Sequence, residues 1–237
     1  EDGRLVFDLW KRYLPGLLPD KFGNSEPIDQ EFDSEKIESA LDAWKWPFLA
    51  TKTKWSMESS VWVRKGGQRT HATWLLSFDL GASSQPELIE FLKAASVALK
   101  ADFACLHLLT PHEIERGRAR GAILVLNKQA TRFAFNIASK DPKRRIPDLF
   151  WATVFGGPYV EMFGRQQLLS APVREVQSLS SGGLMLQLSE LMTDLETHPT
   201  EIDEIRSRTV AHLGQDAFFQ PELSSDHNFR VPLFTFP

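Results

Sequence analysis

The chain has 237 residues, one cysteine and a formal net charge of −4. That length supports one large domain or two small ones without disulfide staples, and the lone Cys105 fits a reducing compartment. The acidic balance argues against unspecific nucleic-acid binding, which needs a basic face, and no apolar run approaches the roughly 20 residues of a membrane-spanning helix. The expectation is a cytoplasmic protein that contacts neither nucleic acid nor membrane directly. Seven tryptophans and seventeen phenylalanines against two tyrosines form an apolar aromatic load that belongs in a core or an interface.

Leu5, Leu9, Trp10 and Tyr13 stand at amphipathic spacing and predict an opening helix that Pro15-Gly16 and Pro19 end. Phe22 to Asp33 reads as a loop. A helix is expected from Ser34 to Trp44, with Ile37, Leu41 and Trp44 along it and Pro47 beyond. From Trp55 the pattern predicts a hairpin that turns at Lys65-Gly66-Gly67-Gln68 and returns over Thr70 to Leu80. Pro86 opens a helix whose Leu88, Phe91, Leu92, Ala95 and Leu99 share a face. Strands are expected at Phe103 to Leu109, Ile123 to Leu126 and Thr131 to Ile137, the last with Phe133, Phe135 and Ile137 on one side. Glu113 to Arg120 is a charged segment between them.

Asp141-Pro142-Lys143-Arg144-Arg145 reads as a solvated turn and as the best internal boundary, giving two α+β subdomains, related or not, at 1–140 and 141–237, the alternative being one compact domain. Beyond it, Leu149, Trp151, Ala152 and Phe155 fit a short helix opened by Pro147-Asp148 and closed by Gly156-Gly157. Tyr159, Met162 and Phe163 give a second short helix, with Gly164 placed for the left-handed conformation that stops it. Val173 to Leu179 and Leu184 to Leu188 predict a hairpin through Ser180-Ser181-Gly182-Gly183, with Gln187 marking a solvent-facing side. Glu201 to Leu213 predicts a helix with Ile202, Ile205, Val210 and Leu213 inward and Gly214 at its end. The aromatic stretch from Asp216 to Pro237 is expected to pack. Together these elements predict an α+β fold, helices on largely antiparallel sheets.

The run F-W-x-x-x-F-G-G-P-Y-V-E-x-F-G from Phe150 to Gly164, followed by L-L-S-A-P and the hairpin, resembles bacterial polymorphic-toxin immunity proteins, particularly the immunity protein 52 type, over residues 146–219. The resemblance implies a cytosolic protein that binds and neutralises a cognate toxin delivered by type VI or contact-dependent secretion. Immunity by binding needs no catalytic residue, cofactor or metal, and none carries over. Contact candidates for such a partner are Tyr159 and Glu161 on one turn and the acidic residues Asp194, Glu196, Glu201, Asp203 and Glu204. Those carboxylates equally complement a helix dipole, or they steer a basic toxin such as a nuclease.

No G-x-S-x-G, G-x-x-x-x-G-K-[ST] or G-x-G-x-x-G pattern occurs, so the usual nucleophile turn and phosphate cradles are missing from the sequence. Cys105, His107 and His112, with Glu113 and Glu115, form the one dense group of ligand-type residues. It lacks a second Cys or His pair, and Pro111 interrupts the backbone between the histidines. The alternatives to immunity are an enzyme whose site is assembled from scattered residues near this group and a non-catalytic adaptor domain.

Overall fold

The computed structural model describes residues 2–44, 47–62, 71–119, 123–127, 132–135, 141–223 and 227–235, and its fold is α+β. The chain divides into two compact units, Glu1–Ala94 and Ala95–Thr235. The Lys65-Gly66-Gly67-Gln68 turn, Ile137, and the side chains of Phe133 and Phe135 lie outside what is described. No helix among the described residues is long and apolar enough to cross a membrane.

The first unit opens with α1 (Asp2–Tyr13), which buries Val6, Phe7, Leu9 and Trp10. Then come β1 (Lys21–Gly23), β2 (Gln30–Glu31), α2 (Glu38–Asp42), β3 (Phe48–Lys52), β4 (Met57–Trp62) and β5 (Thr73–Ser77). The strands form an antiparallel sheet in the order β2-β1-β3-β4-β5. β4 alternates as a half-buried strand should, with Met57, Ser59 and Val61 inward. β1 and β2 lie where a loop was expected, because Phe22 is the only large apolar residue in either strand and the pairing comes from β3. Phe22 stacks on Phe48 at 5.9 Å, and Phe7 meets Phe48 edge-on at 5.7 Å, which places part of the aromatic load in this core.

α3 (Gln85–Ala98) starts with a reciprocal cap in which the Ser84 N–H donates to Glu87 Oε2 at 2.8 Å and the Glu87 N–H to Ser84 Oγ at 3.5 Å. The division between the units falls inside this helix, not at Asp141. The reason is pairing across the expected boundary. β6 (Phe103–Leu106) is hydrogen-bonded to a strand beyond residue 141, so the two sides of the Asp141 turn share one sheet.

The second unit continues with α4 (Pro111–Ala119), the ribbon β7 (Ile123–Asn127) and β8 (Arg132–Phe135), β9 (Ala152–Phe155), α5 (Gly157–Phe163), α6 (Arg165–Leu169), β10 (Glu175–Ser178), β11 (Leu184–Gln187), α7 (Asp194–Thr197) and α8 (Pro199–Leu213). Its main sheet runs β10-β11-β9-β6, all antiparallel. β9 replaces the helix expected before Gly156. A stretch of only four residues fits either period, and here both flanking strands claim it. Central placement buries β9 on both faces and β11 likewise, so Gln187 is 5 % exposed rather than solvent-facing. Its amide is satisfied internally, donating to Ser189 O at 2.8 Å.

The Gly-Gly corner after β9 is asymmetric. A Cβ on Gly156 would lie 2.3 Å from the Ala101 carbonyl oxygen and 2.8 Å from Asp102 Cα, whereas one on Gly157 would meet nothing within 4 Å. Gly156→Ala should therefore cost about 2–3 kcal/mol as backbone is forced apart. Gly157→Ala, at the first residue of α5, should fall within about 1 kcal/mol of the parent. Urea titration of the two variants checks this, and equal midpoints would contradict the close approach. The corner turns the chain into α5, whose Tyr159 and Phe163 join Phe155, Leu184, Leu213 and Phe218 in the core of the unit. Gly164, at φ +86°, ends α5 as its sequence position predicts.

Candidate functional site

The densest chemistry in the second unit grows from Thr110-Pro111-His112-Glu113. Pro111 is the first residue of α4, where its missing N–H costs nothing, and Thr110 Oγ1 accepts the Glu113 N–H at 3.2 Å. The proline thus starts a helix, and that helix brings Glu113 back against His107. The Glu113 carboxylate does not fold back on the cap. It turns inward, where His107 Nε2 lies 3.0 Å from Oε2 and Arg206 Nη2 donates to both oxygens at 3.1 and 3.2 Å.

His107, Glu113 and Arg206 are each no more than 3 % exposed at the side chain. The Trp151 N–H donates to His107 Nδ1 at 3.1 Å, which fixes the neutral tautomer with its proton on Nε2, facing Glu113. Burial pushes the His107 ring below its ordinary value against the pull of Glu113. Burial opposes ionisation of Glu113 too, but the His107 hydrogen bond and the Arg206 charge outweigh it and hold the carboxyl down to about 2.

The network extends outward from Arg206. Its Nε donates to the Leu149 carbonyl at 2.8 Å and its Nη1 to Asp203 Oδ1 at 2.5 Å. Arg116 Nε reaches the same Asp203 oxygen at 3.0 Å, and its two terminal nitrogens clasp the Asp148 carboxylate. His112 Nε2 lies 2.8 Å from Asp203 Oδ2 at the solvent edge. Three carboxylates and two guanidiniums therefore tie α4, the segment before β9, and α8 together.

His112, Glu113 and Asp203 bring ligand-type atoms within 4.8 Å of one another. A divalent ion there would compete with Arg206 for Glu113, and with Arg116 and Arg206 for Asp203, at close range to both positive charges. The donor set suits guanidinium, and the cluster is an ion-pair network in form. Cys105 forms no part of it; its thiol is pushed up to about 12 by burial, far from a reactive thiolate. Nor does the His107–Glu113 pair present a catalytic face, since both ring nitrogens are engaged. The bordering cleft of about 190 Å³, floored by Arg116 and Arg206 and walled by Val210, Phe218 and Phe219, meets guanidiniums already matched to carboxylates.

Arg206 escapes a reading by apolar periodicity. Its buried neighbours on α8 are Ile202, Thr209 and Leu213, while Ile205 and Val210, expected inward, are only half-buried. The stripe is rotated because a paired guanidinium fills a core position. The available signal was Arg206 standing four residues after Ile202 and seven before Leu213, in line with the apolar face.

The expected contact residues separate into three groups. Tyr159 is 1 % exposed and is corrected from a surface contact to a core residue; it packs on Phe103, Phe155 and Phe234, and its hydroxyl donates to Pro142 O at 3.2 Å. Asp203 belongs to the ion network, and Asp194 Oδ2 accepts the Leu191 N–H at 3.1 Å in the turn into α7. Glu161, Glu196, Glu201 and Glu204 are exposed. No family model, curated protein or solved structure matches the chain.

Proposed function

We propose that this chain is an immunity protein that neutralises a cognate bacterial toxin by stoichiometric binding in the cytoplasm, the toxin being one delivered by type VI or contact-dependent secretion. The observation that carries the reading is how the stretch resembling the immunity protein 52 type is used. Trp151, Phe155, Tyr159 and Phe163 of its signature are at most 4 % exposed, so the motif builds a frame. The carboxylates of Glu196, Glu201 and Glu204 stand outside that frame, on α7 and α8. A rigid frame with an acidic outer face suits capture of a basic partner, such as a nuclease, whose association electrostatic steering accelerates. The engaged state of the His107–Glu113–Arg206 network favours binding over catalysis as the source of immunity.

The test is capture of the tagged chain from its source cells. One near-stoichiometric partner should be recovered, and that partner should arrest growth when expressed alone but not beside this chain. A partner that is harmless when expressed alone would contradict the reading.

Glu201 and Glu204 are one helical turn apart and free of the ion network, unlike Asp203. Their joint reversal to lysine should slow association about 10- to 100-fold at low salt while leaving dissociation nearly unchanged. Stopped-flow mixing with the partner checks this, and an unaltered rate removes the α8 face from the interface.

A further inference from the structure

We propose that His107 is an acid-sensitive latch: one proton added to its ring breaks the junction that ties β9 to α4 and α8, and the second unit opens locally in mildly acidic solution. The inference stands on the hydrogen-bond geometry and does not depend on the identity of any toxin.

The proton has one place to go. Nε2 already carries hydrogen toward Glu113, so the incoming proton must sit on Nδ1, where it faces the Trp151 N–H at 3.1 Å. Two donors then oppose each other, and the buried amide loses its acceptor. Glu113 from α4 and Asp148 from the segment before β9 attract the imidazolium, while Arg206 from α8 repels it and the Phe150 ring packs edge-on at 5.5 Å. Burial and Arg206 outweigh the two carboxylates, so the folded ring titrates below the unfolded one.

The sign follows. The unfolded ring takes its proton near pH 6.5, before the folded ring does, so the latch contributes fully above that pH. As pH falls below it, the contribution is lost until the folded ring is also protonated. The unfolding equilibrium constant should rise by up to roughly tenfold per pH unit across that window.

Urea titrations of the full chain from about pH 7.5 to about pH 5 test this against two replacements that do not titrate. His107→Asn keeps an acceptor for Trp151, and His107→Gln keeps a donor for Glu113. The wild-type constant should climb as stated, and the climb should shrink in either variant that folds. An equal climb in wild type and variant would overturn the proposal.

Should neither variant fold, amide exchange of wild-type Trp151, corrected for its intrinsic pH dependence, gives the answer. Protection at Trp151 should fall in acid relative to the Leu179 amide, which donates to the Gly183 carbonyl at 2.9 Å in the β10–β11 hairpin. Protection that falls equally at both would overturn the latch.

Discussion

Replacing Arg206 with methionine should cost the second unit about 3–5 kcal/mol, the largest effect expected from any single change in its polar groups. Methionine fills much of the same volume, so the loss is one of partners. The Glu113 carboxylate, 3 % exposed, would keep only His107 as a hydrogen-bond partner; the Leu149 carbonyl would lose its donor, and Asp203 would lose one of two guanidiniums. Breaking one side of a buried pair leaves an uncompensated charge, which is why the cost exceeds the net worth of the pair. Glu113→Gln in the same background removes that charge and should recover roughly 1–2 kcal/mol. Urea titration of the parent, single and double variants closes the cycle, and an Arg206→Met variant as stable as the parent would show that the network holds nothing. The pH dependence carries the same information. Glu113 is held at about 2, so its contribution is present above its ordinary range near 4.3 and lost as pH falls toward 2. In Arg206→Met this acid limb should shrink.

Trp151→Ala should cost about 3–5 kcal/mol through a cavity beside β9, and it should lower the midpoint of thermal unfolding on the order of 10 °C. The side chain is 0 % exposed, and its indole N–H donates to Ser189 Oγ at 3.0 Å, whose hydroxyl donates in turn to Leu191 O at 2.9 Å. Truncation removes the ring and strips Ser189 of its donor. Trp151→Phe keeps most of the volume and loses the hydrogen bond, so it should cost less than half as much. A calorimetric scan of the two variants separates packing from hydrogen bonding. Equal losses would assign the effect to the indole N–H.

The elements read best from sequence are those with local signals. α3 carries a side-chain cap, a proline start and an apolar stripe of its own, α8 has a proline start, and Gly164 and Gly214 stand at the ends that their positive φ permits. β9 is different: its four residues fit a helix as well as a strand, and only hydrogen bonds from β6 and β11, distant in sequence, decide the matter. The same distant pairing hid the burial of Gln187 and moved the internal division from Asp141 to α3. Tyr159 illustrates a further ambiguity, because a phenol with a buried partner and one at an interface look alike in sequence.

At the candidate site, the neighbourhood was legible and its chemistry was not. His107, His112 and Glu113 stand out as a dense ligand-type group, but their partners Asp203 and Arg206 come from far along the chain, on α8. Without Arg206 the group resembles an incomplete metal site. With it, the carboxylates are matched to guanidinium and the histidine is fixed as neutral. Asp203, placed in sequence on an acidic helix start, faces both arginines, so its reversal would disturb the ion network as well as any partner.

The central claim, immunity by one-to-one occlusion, is tested most directly by titrating the captured toxin's activity with purified chain. Activity should fall linearly and reach zero at one chain per toxin, with calorimetry giving the same equivalence point. Loss of activity at a small fraction of equivalence would mean that the chain turns over, and the binding account would be wrong.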